Sequence, residues 1–214
     1  MSAYSRAYSG LRVGCIMTAV LPCLLAVNAA PGPAPAATPP CEACHGAHGE
    51  GMAAAHVPRL AGQSADYLQK QLDDYAQGTR DNPIMKNFAK ELSGQQRAKF
   101  AARYASMSAP YIAQSALSAA SLARGHQLAY QGDETKRVQA CNGCHGPDGI
   151  GVALAAPYLA GQSAEYLASA LTAFRQGTRK NDAGELMRSV AKRLDDVDVE
   201  AVSGYFGSLE PSTH

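Results

Sequence analysis

The chain of 214 residues contains no Trp, and only 7% of it is aromatic. Few bulky side chains are at hand to fill a core, so another apolar group has to share that work. Charge is sparse too: 17% of residues are charged and the formal net charge is +1. That excludes a polyelectrolyte tail and the basic surface that nucleic acid requires. Runs of β-branched residues with period-two alternation are absent, so strands are not expected. One long apolar run occurs, over residues 13–27. With 46% hydrophobic residues, the chain has the composition of a globular protein rather than a disordered one.

The apolar run follows Arg6 and Arg12, has no acidic residue before it, and leads into Asn28-Ala29-Ala30. This pattern predicts a secretory signal peptide over residues 1–30, cleaved near Ala30. A bilayer span needs about 20 apolar residues, and this run is shorter and broken by Pro22. A retained anchor is the alternative, and peripheral membrane association is compatible with it. Cleavage places the product outside the cytoplasm. Residues 31–40 are Pro-rich and read as a stiff lead-in.

Six cysteines are present. Cys15 and Cys23 fall within the leader. Cys41, Cys44, Cys141 and Cys144 remain, in two C-x-x-C pairs that are each followed by His. Around them the chain repeats itself. Cys41-Glu42-Ala43-Cys44-His45-Gly46 returns as Cys141-Asn142-Gly143-Cys144-His145-Gly146, and residues 58–80 match residues 157–179 at 14 of 23 positions without a gap. A period near one hundred means two tandem domains, not a solenoid of short units. The boundaries read are 41–108 for the first domain, 109–122 for an Ala/Ser-rich linker, and 123–210 for the second domain.

The periodicity predicts helices throughout. Ser64 caps a helix to about Gln77 with Leu68, Leu72 and Tyr75 on one face and Gly78 at its exit. Ser163, Leu167, Leu171, Phe174 and Gly177 repeat it. Ser93 with Gln96 forms a capping box for a helix through Met107. Asp195 and Asp198 open the matching helix through Leu209, where carboxylates suit the positive end. Asp73, Asp74 and Asp196 read as solvated helix positions or caps.

C-x-x-C-H is the attachment signature of c-type haem. Each thiol adds across one vinyl group, and the adjacent His45 or His145 meets the iron. Zinc and disulfides are the alternatives for the thiols; duplication of a whole domain around each pair weighs against one shared zinc. Met85 and Met187 lie 40 and 42 residues beyond their histidines, each after a Gly-Thr-Arg sequence. Repetition at that interval assigns them as the second axial ligands, in the Met/His pattern of cytochromes c. Met52 matches Val152, and Met107 is set beside Ser208, so neither recurs. His48 and His56 are rivals for the first iron; His126 and His214 also lack a repeat partner. Pro58 and Pro157 follow their histidines by 13 and 12 residues. Their carbonyls are placed to accept the imidazole N–H and so fix the ring. A turn-forming role for both prolines is equally open.

The paired C-x-x-C-H-G motifs, the P-x-L-A-G-Q-S-A-x-Y-L segments and the spaced methionines resemble cytochrome c4, the dihaem class I cytochromes c. The resemblance runs from Cys41 to Leu209. It implies an all-α tandem of two class I domains related by pseudo-twofold symmetry, and two covalent haems with propionates near the domain interface. It also implies a periplasmic carrier of single electrons in a respiratory chain, delivering to a terminal oxidase and loaded by an upstream reductase or dehydrogenase. The alternative is a cytochrome subunit of a periplasmic dehydrogenase complex. An electron-transfer role rather than catalysis follows from His and Met together filling both axial positions. One departure stands out: the second copy has a candidate opening helix at residues 123–131, and the first has only residues 31–40. The first domain is therefore expected to be the less stable.

Overall fold

Helices form where the caps place them. In the computed structural model, which describes residues 41–112, 117–152 and 156–211, the Ser64 side chain accepts from the Tyr67 N–H and starts α2, Ala65–Gln77. Ser163 does the same for α7, Ala164–Gln176. Both end at a left-handed glycine, Gly78 (φ 81°) and Gly177 (φ 73°), a conformation that costs other residues a steric penalty. Asn82 caps α3 (Pro83–Glu91), and Ser93 with Gln96 forms the full capping box of α4 (Gly94–Ala105). The remaining helices are α1 (Glu42–His45), α5 (Ala119–Tyr130), α6 (Asn142–His145), α8 (Leu186–Ala191) and α9 (Asp196–Ser208). Among the described residues no strand forms; Met52–Val57, Asp133–Val138 and Val152–Ala156 pair as isolated bridges. None of these helices is long and apolar enough to cross a membrane.

Several loop hydrogen bonds recur in both copies. Leu60 N–H donates to Gly49 O as Leu159 does to Gly149 O, and Gly62 N–H donates to Tyr104 O as Gly161 does to Phe206 O. The chain is thus two all-helical domains in tandem. In the second, Leu128, Val138, Leu167, Leu194, Val199, Val202, Tyr205 and Phe206 form a buried cluster. In the first, Leu68, Ala101 and Tyr104 are buried together, with Leu60 and Met107 against them. Met107 therefore corresponds to Leu209, not to Ser208: each donates its N–H to the buried aromatic three residues earlier. The offset between the copies, 100 at the cysteines, has drifted to 102 here, and this hides the match from simple spacing.

The predicted signal peptide, the lead-in at residues 31–40, Cys15, Cys23 and His214 lie outside the described residues, as do 113–116 of the linker. The opening helix of the second domain starts at Ala119 rather than at residue 123, because Ser118 accepts from Ser121 N–H and caps it there. It crosses α9 at close quarters: a Cβ on Gly125 would sit 2.3 Å from Ala201 O and 2.5 Å from Tyr205 Cβ. Asp198, expected with Asp195 at the opening of α9, is there and is only 1% exposed. Its carboxylate binds Arg124 of α5 (Nε, 2.8 Å) and Lys136 (Nζ, 2.5 Å). The crossing helix supplies the counter-charge that lets the carboxylate be buried.

The corresponding face of α4 is different in kind. Asp198, Ala201 and Tyr205 correspond to Gln96, Lys99 and Arg103, and all three are exposed. Arg103 reaches instead to Glu42, at 2.6 Å. Polar side chains thus occupy in the first domain the surface that α5 covers in the second.

Candidate haem sites

Each C-x-x-C-H segment folds as a single helical turn. His45 N–H donates to Cys41 O (2.9 Å) and His145 N–H to Cys141 O (2.9 Å). Residues three apart on such a turn share a face, so both thiols of a pair are presented together. Cys41 and Cys141 are half-buried, while Cys44 and Cys144 are exposed; the four form no disulfide. Burial raises the Cys41 thiol and pushes Cys141 up to about 11. No group of three or more His, Cys, Asp or Glu suited to an ion exists among the described residues. The two pairs therefore do not assemble a shared zinc site.

His45 and His145 are both buried, 7% exposed. Burial lowers both imidazoles from their ordinary value, which favours the neutral ring. Nδ1 of His45 lies 2.9 Å from Pro58 O, and Nδ1 of His145 lies 3.0 Å from Pro157 O. With Nδ1–H donating to a carbonyl, Nε2 keeps its lone pair for a metal. Two thiols on one turn, followed by a buried neutral imidazole of fixed tautomer, fit a covalently attached haem.

Met85 is the third residue of α3 and half-buried, its N–H donating to Asn82 Oδ1. Met187 is the second residue of α8 and likewise half-buried. His48 is exposed, and exposed His56 donates from Nδ1 to Glu165 O of the other domain. His126 stacks on Tyr130 at 4.6 Å. Met52 is 47% exposed, and Met107 packs in the first cluster.

The seam between the domains is polar, buried and reciprocal, features that the sequence reading did not single out. Arg80 donates to Tyr166 OH of the other domain, and Arg179 donates back to Tyr67 OH, both at 3.0 Å. Each guanidinium also lies over an aromatic ring of its own domain: Arg80 on Tyr75 (4.7 Å), Arg179 on Phe174 (4.4 Å). Gln71 Oε1 accepts from Arg80, Arg179 and Asn181 together, at 2.8, 3.2 and 2.9 Å. Burial alone would raise the Tyr166 hydroxyl, but the two guanidiniums outweigh it and bring it down to about 8. Gln63 and Gln162 cross the seam in the same paired manner. These crossings give the tandem its pseudo-twofold character. Their only trace in sequence is that the Leu-Ala-Gly-Gln and Gly-Thr-Arg segments recur.

Fold and site together define a two-domain c-type cytochrome. The cytochrome c family model matches residues 29–110 and 122–210. A thiosulfate dehydrogenase electron acceptor of Stutzerimonas stutzeri (strain A1501) is 47% identical over 79% of this chain and 78% of that protein. Cytochrome c4 of Pseudomonas aeruginosa is 40% identical over 85% of this chain and 89% of that one. Among solved structures, reduced cytochrome c4 from Pseudomonas stutzeri is 36% identical with a TM-score of 0.73, covering 79% of this chain and 93% of that one. The thiosulfate dehydrogenase TsdBA of Marichromatium purpuratum is 35% identical with a TM-score of 0.73, over 79% of this chain; the match spans 36% of that longer chain. The chain belongs to the cytochrome c family and, within it, to the dihaem cytochromes c4. It carries two covalent c-type haems, one on Cys41 and Cys44 and one on Cys141 and Cys144, and it is an electron carrier.

Proposed function

We propose that this carrier accepts electrons from a thiosulfate dehydrogenase in the periplasm and hands them on, one at a time, towards a terminal oxidase. The observation that carries this reading is the 47% identical relative of similar length, named for that acceptor role. An upstream reductase or dehydrogenase was already the expected donor, with a cytochrome subunit of a periplasmic dehydrogenase complex as the alternative. Oxidative coupling of two thiosulfates releases two electrons, the number that two haems accept. We take His45 with Met85, and His145 with Met187, as the axial ligands. The bound haem iron supplies a one-electron change without a change of ligands.

The chain's own residues do the rest. The cysteines hold each haem against loss outside the cytoplasm. The Pro58 and Pro157 carbonyls fix the imidazoles. Met85 and Met187 would supply the second protein ligand to each haem iron, which would leave no open position for oxygen or peroxide and suits a carrier.

The test is anaerobic stopped-flow mixing of the ferric holoprotein with a purified thiosulfate dehydrogenase and thiosulfate. Enzyme-dependent reduction of both haems is expected, followed by reoxidation when oxidase-containing membranes and oxygen are added. Reduction no faster than with thiosulfate alone refutes the donor assignment. The red charge-transfer band of sulfur-ligated ferric haem, lost one haem at a time in Met85→Ala and Met187→Ala, tests the ligands.

A further inference from the structure

The Leu-Ala-Gly-Gln repeats are the most specific motif in the chain, and electron carriage by itself gives their glutamines no task. Gln63 and Gln162 are each 6% exposed. Each grips the main chain of a single residue in the opposite domain. Gln162 Oε1 accepts from Arg59 N–H (2.8 Å) while its Nε2 donates to Arg59 O (2.9 Å). Gln63 Oε1 accepts from Tyr158 N–H (3.0 Å) while its Nε2 donates to Tyr158 O (3.1 Å). The orientation of each amide is locked. Oε1 also accepts from the next residue's N–H, that of Ser64 or Ser163, at 3.0 Å in both copies. A flipped amide would turn its NH2 group onto two N–H donors.

The gripped residues are not arbitrary. Arg59 N–H and Pro58 C=O belong to one peptide group, and Pro58 O is the acceptor for His45 Nδ1. Tyr158 N–H and Pro157 C=O form the equivalent peptide, with His145 Nδ1 on its oxygen. A hydrogen bond accepted from the N–H of a peptide polarises its carbonyl, strengthening the bond made there by roughly 10–30%. A stronger acceptor on Nδ1–H makes the imidazole a more basic ligand, and a more basic ligand favours ferric iron.

We propose that Gln63 and Gln162 are positioning residues for the haem of the opposite domain: each fixes and polarises the peptide that holds the other domain's imidazole. The relay runs from Gln162 through peptide 58–59 to His45, and from Gln63 through peptide 157–158 to His145. Each half of the molecule thereby sets the potential of the other. The inference rests on His45 and His145 as iron ligands. Nitrogen hyperfine couplings in the ferric wild-type EPR spectrum test that point separately.

The experiment is spectroelectrochemical titration of holoprotein variants, with haem-methyl NMR resonances assigned to each domain through contacts with its own side chains. Gln162→Met keeps the length of the side chain and removes both hydrogen bonds to Arg59, together with the one from Ser163 N–H. It is expected to raise the potential of the first-domain haem by at least about twofold in the ferrous-to-ferric ratio, about 18 mV at 59 mV per decade, leaving the second haem in place. Gln63→Met is expected to do the converse. Gln162→Glu retains the acceptor towards Arg59 N–H and should hold or lower the first potential; it carries the test if the Met variant fails to load haem. A shift confined to the haem of the substituted domain, an equal shift of both, or no shift in a loaded protein overturns the proposal. So does a Glu variant that moves in the same direction as Met.

Discussion

Replacing Gly125 by alanine puts one methyl group where α5 and α9 nearly touch. The new Cβ would meet Ala201 O at 2.3 Å, Tyr205 Cβ at 2.5 Å and Ala201 C at 2.9 Å. Two of these atoms are main chain in a neighbouring helix and cannot swing aside, so the helices must separate. Overpacking of this kind costs up to about 3 kcal/mol. Alanine returns about 1 kcal/mol in helix propensity. The net loss is therefore about 2 kcal/mol, roughly 8–16 °C in Tm for a domain of this size. Gly94→Ala, at the start of α4, the first-domain counterpart of α9, is the control. Its nearest neighbour would be Arg97 Nη2 at 3.8 Å, an ordinary van der Waals contact, so it should gain about 0.4–1 kcal/mol. Urea unfolding of the ferric holoprotein followed by far-UV circular dichroism reads both, and amide exchange assigns the loss to the second domain. A Gly125→Ala protein as stable as wild type, or one weakened in its first domain, would refute the reasoning about the crossing.

Other outcomes follow from the same contacts. Ser64→Ala and Ser163→Ala each remove a side-chain cap and should cost about 1 kcal/mol, measured by the same urea titration; an unchanged midpoint refutes the capping role. Asp133 is held below the usual carboxylate range by the Thr135 hydroxyl and Arg124, and Asp195 by Lys136. Because their folded values lie below the unfolded ones, their stabilisation is complete above about pH 4 and is lost as pH falls further. Lys136→Met should therefore shift acid unfolding of the second domain to higher pH in a near-ultraviolet titration; an unmoved transition counts against the pairing. Native-state hydrogen exchange should show α4 opening at lower free energy than α9, and selective loss of second-domain protection would contradict the expected order of stability.

Much of this was legible because it is local. Ser64, Ser93 and Ser163 mark helix starts, and Gly78 and Gly177 mark ends, since the bonds and backbone angles involved span only three or four residues. The one-turn C-x-x-C-H segments follow from the same economy of spacing. The helix-opening place of Asp198 is local and legible; its burial is not, because that depends on Arg124, 74 residues away. Met107 was paired with the wrong residue because the repeat offset drifts along the chain. The Gln63 and Gln162 contacts were invisible for a stronger reason. They join a side chain to main chain 95 and 103 residues distant, and no periodicity encodes which backbone group a buried amide will meet.

The unlike surfaces of α4 and α9 also put a direction on the tandem. A half ending in the Gln96–Lys99–Arg103 stripe tolerates water there. A half ending in the Asp198–Ala201–Tyr205 stripe needs the twelve residues of α5 upstream of it. Transposing the halves would leave that helix at the leading edge of the chain, where fraying is greatest, with Asp198 losing Arg124 whenever it opened. The copies share an architecture, yet they are not interchangeable modules.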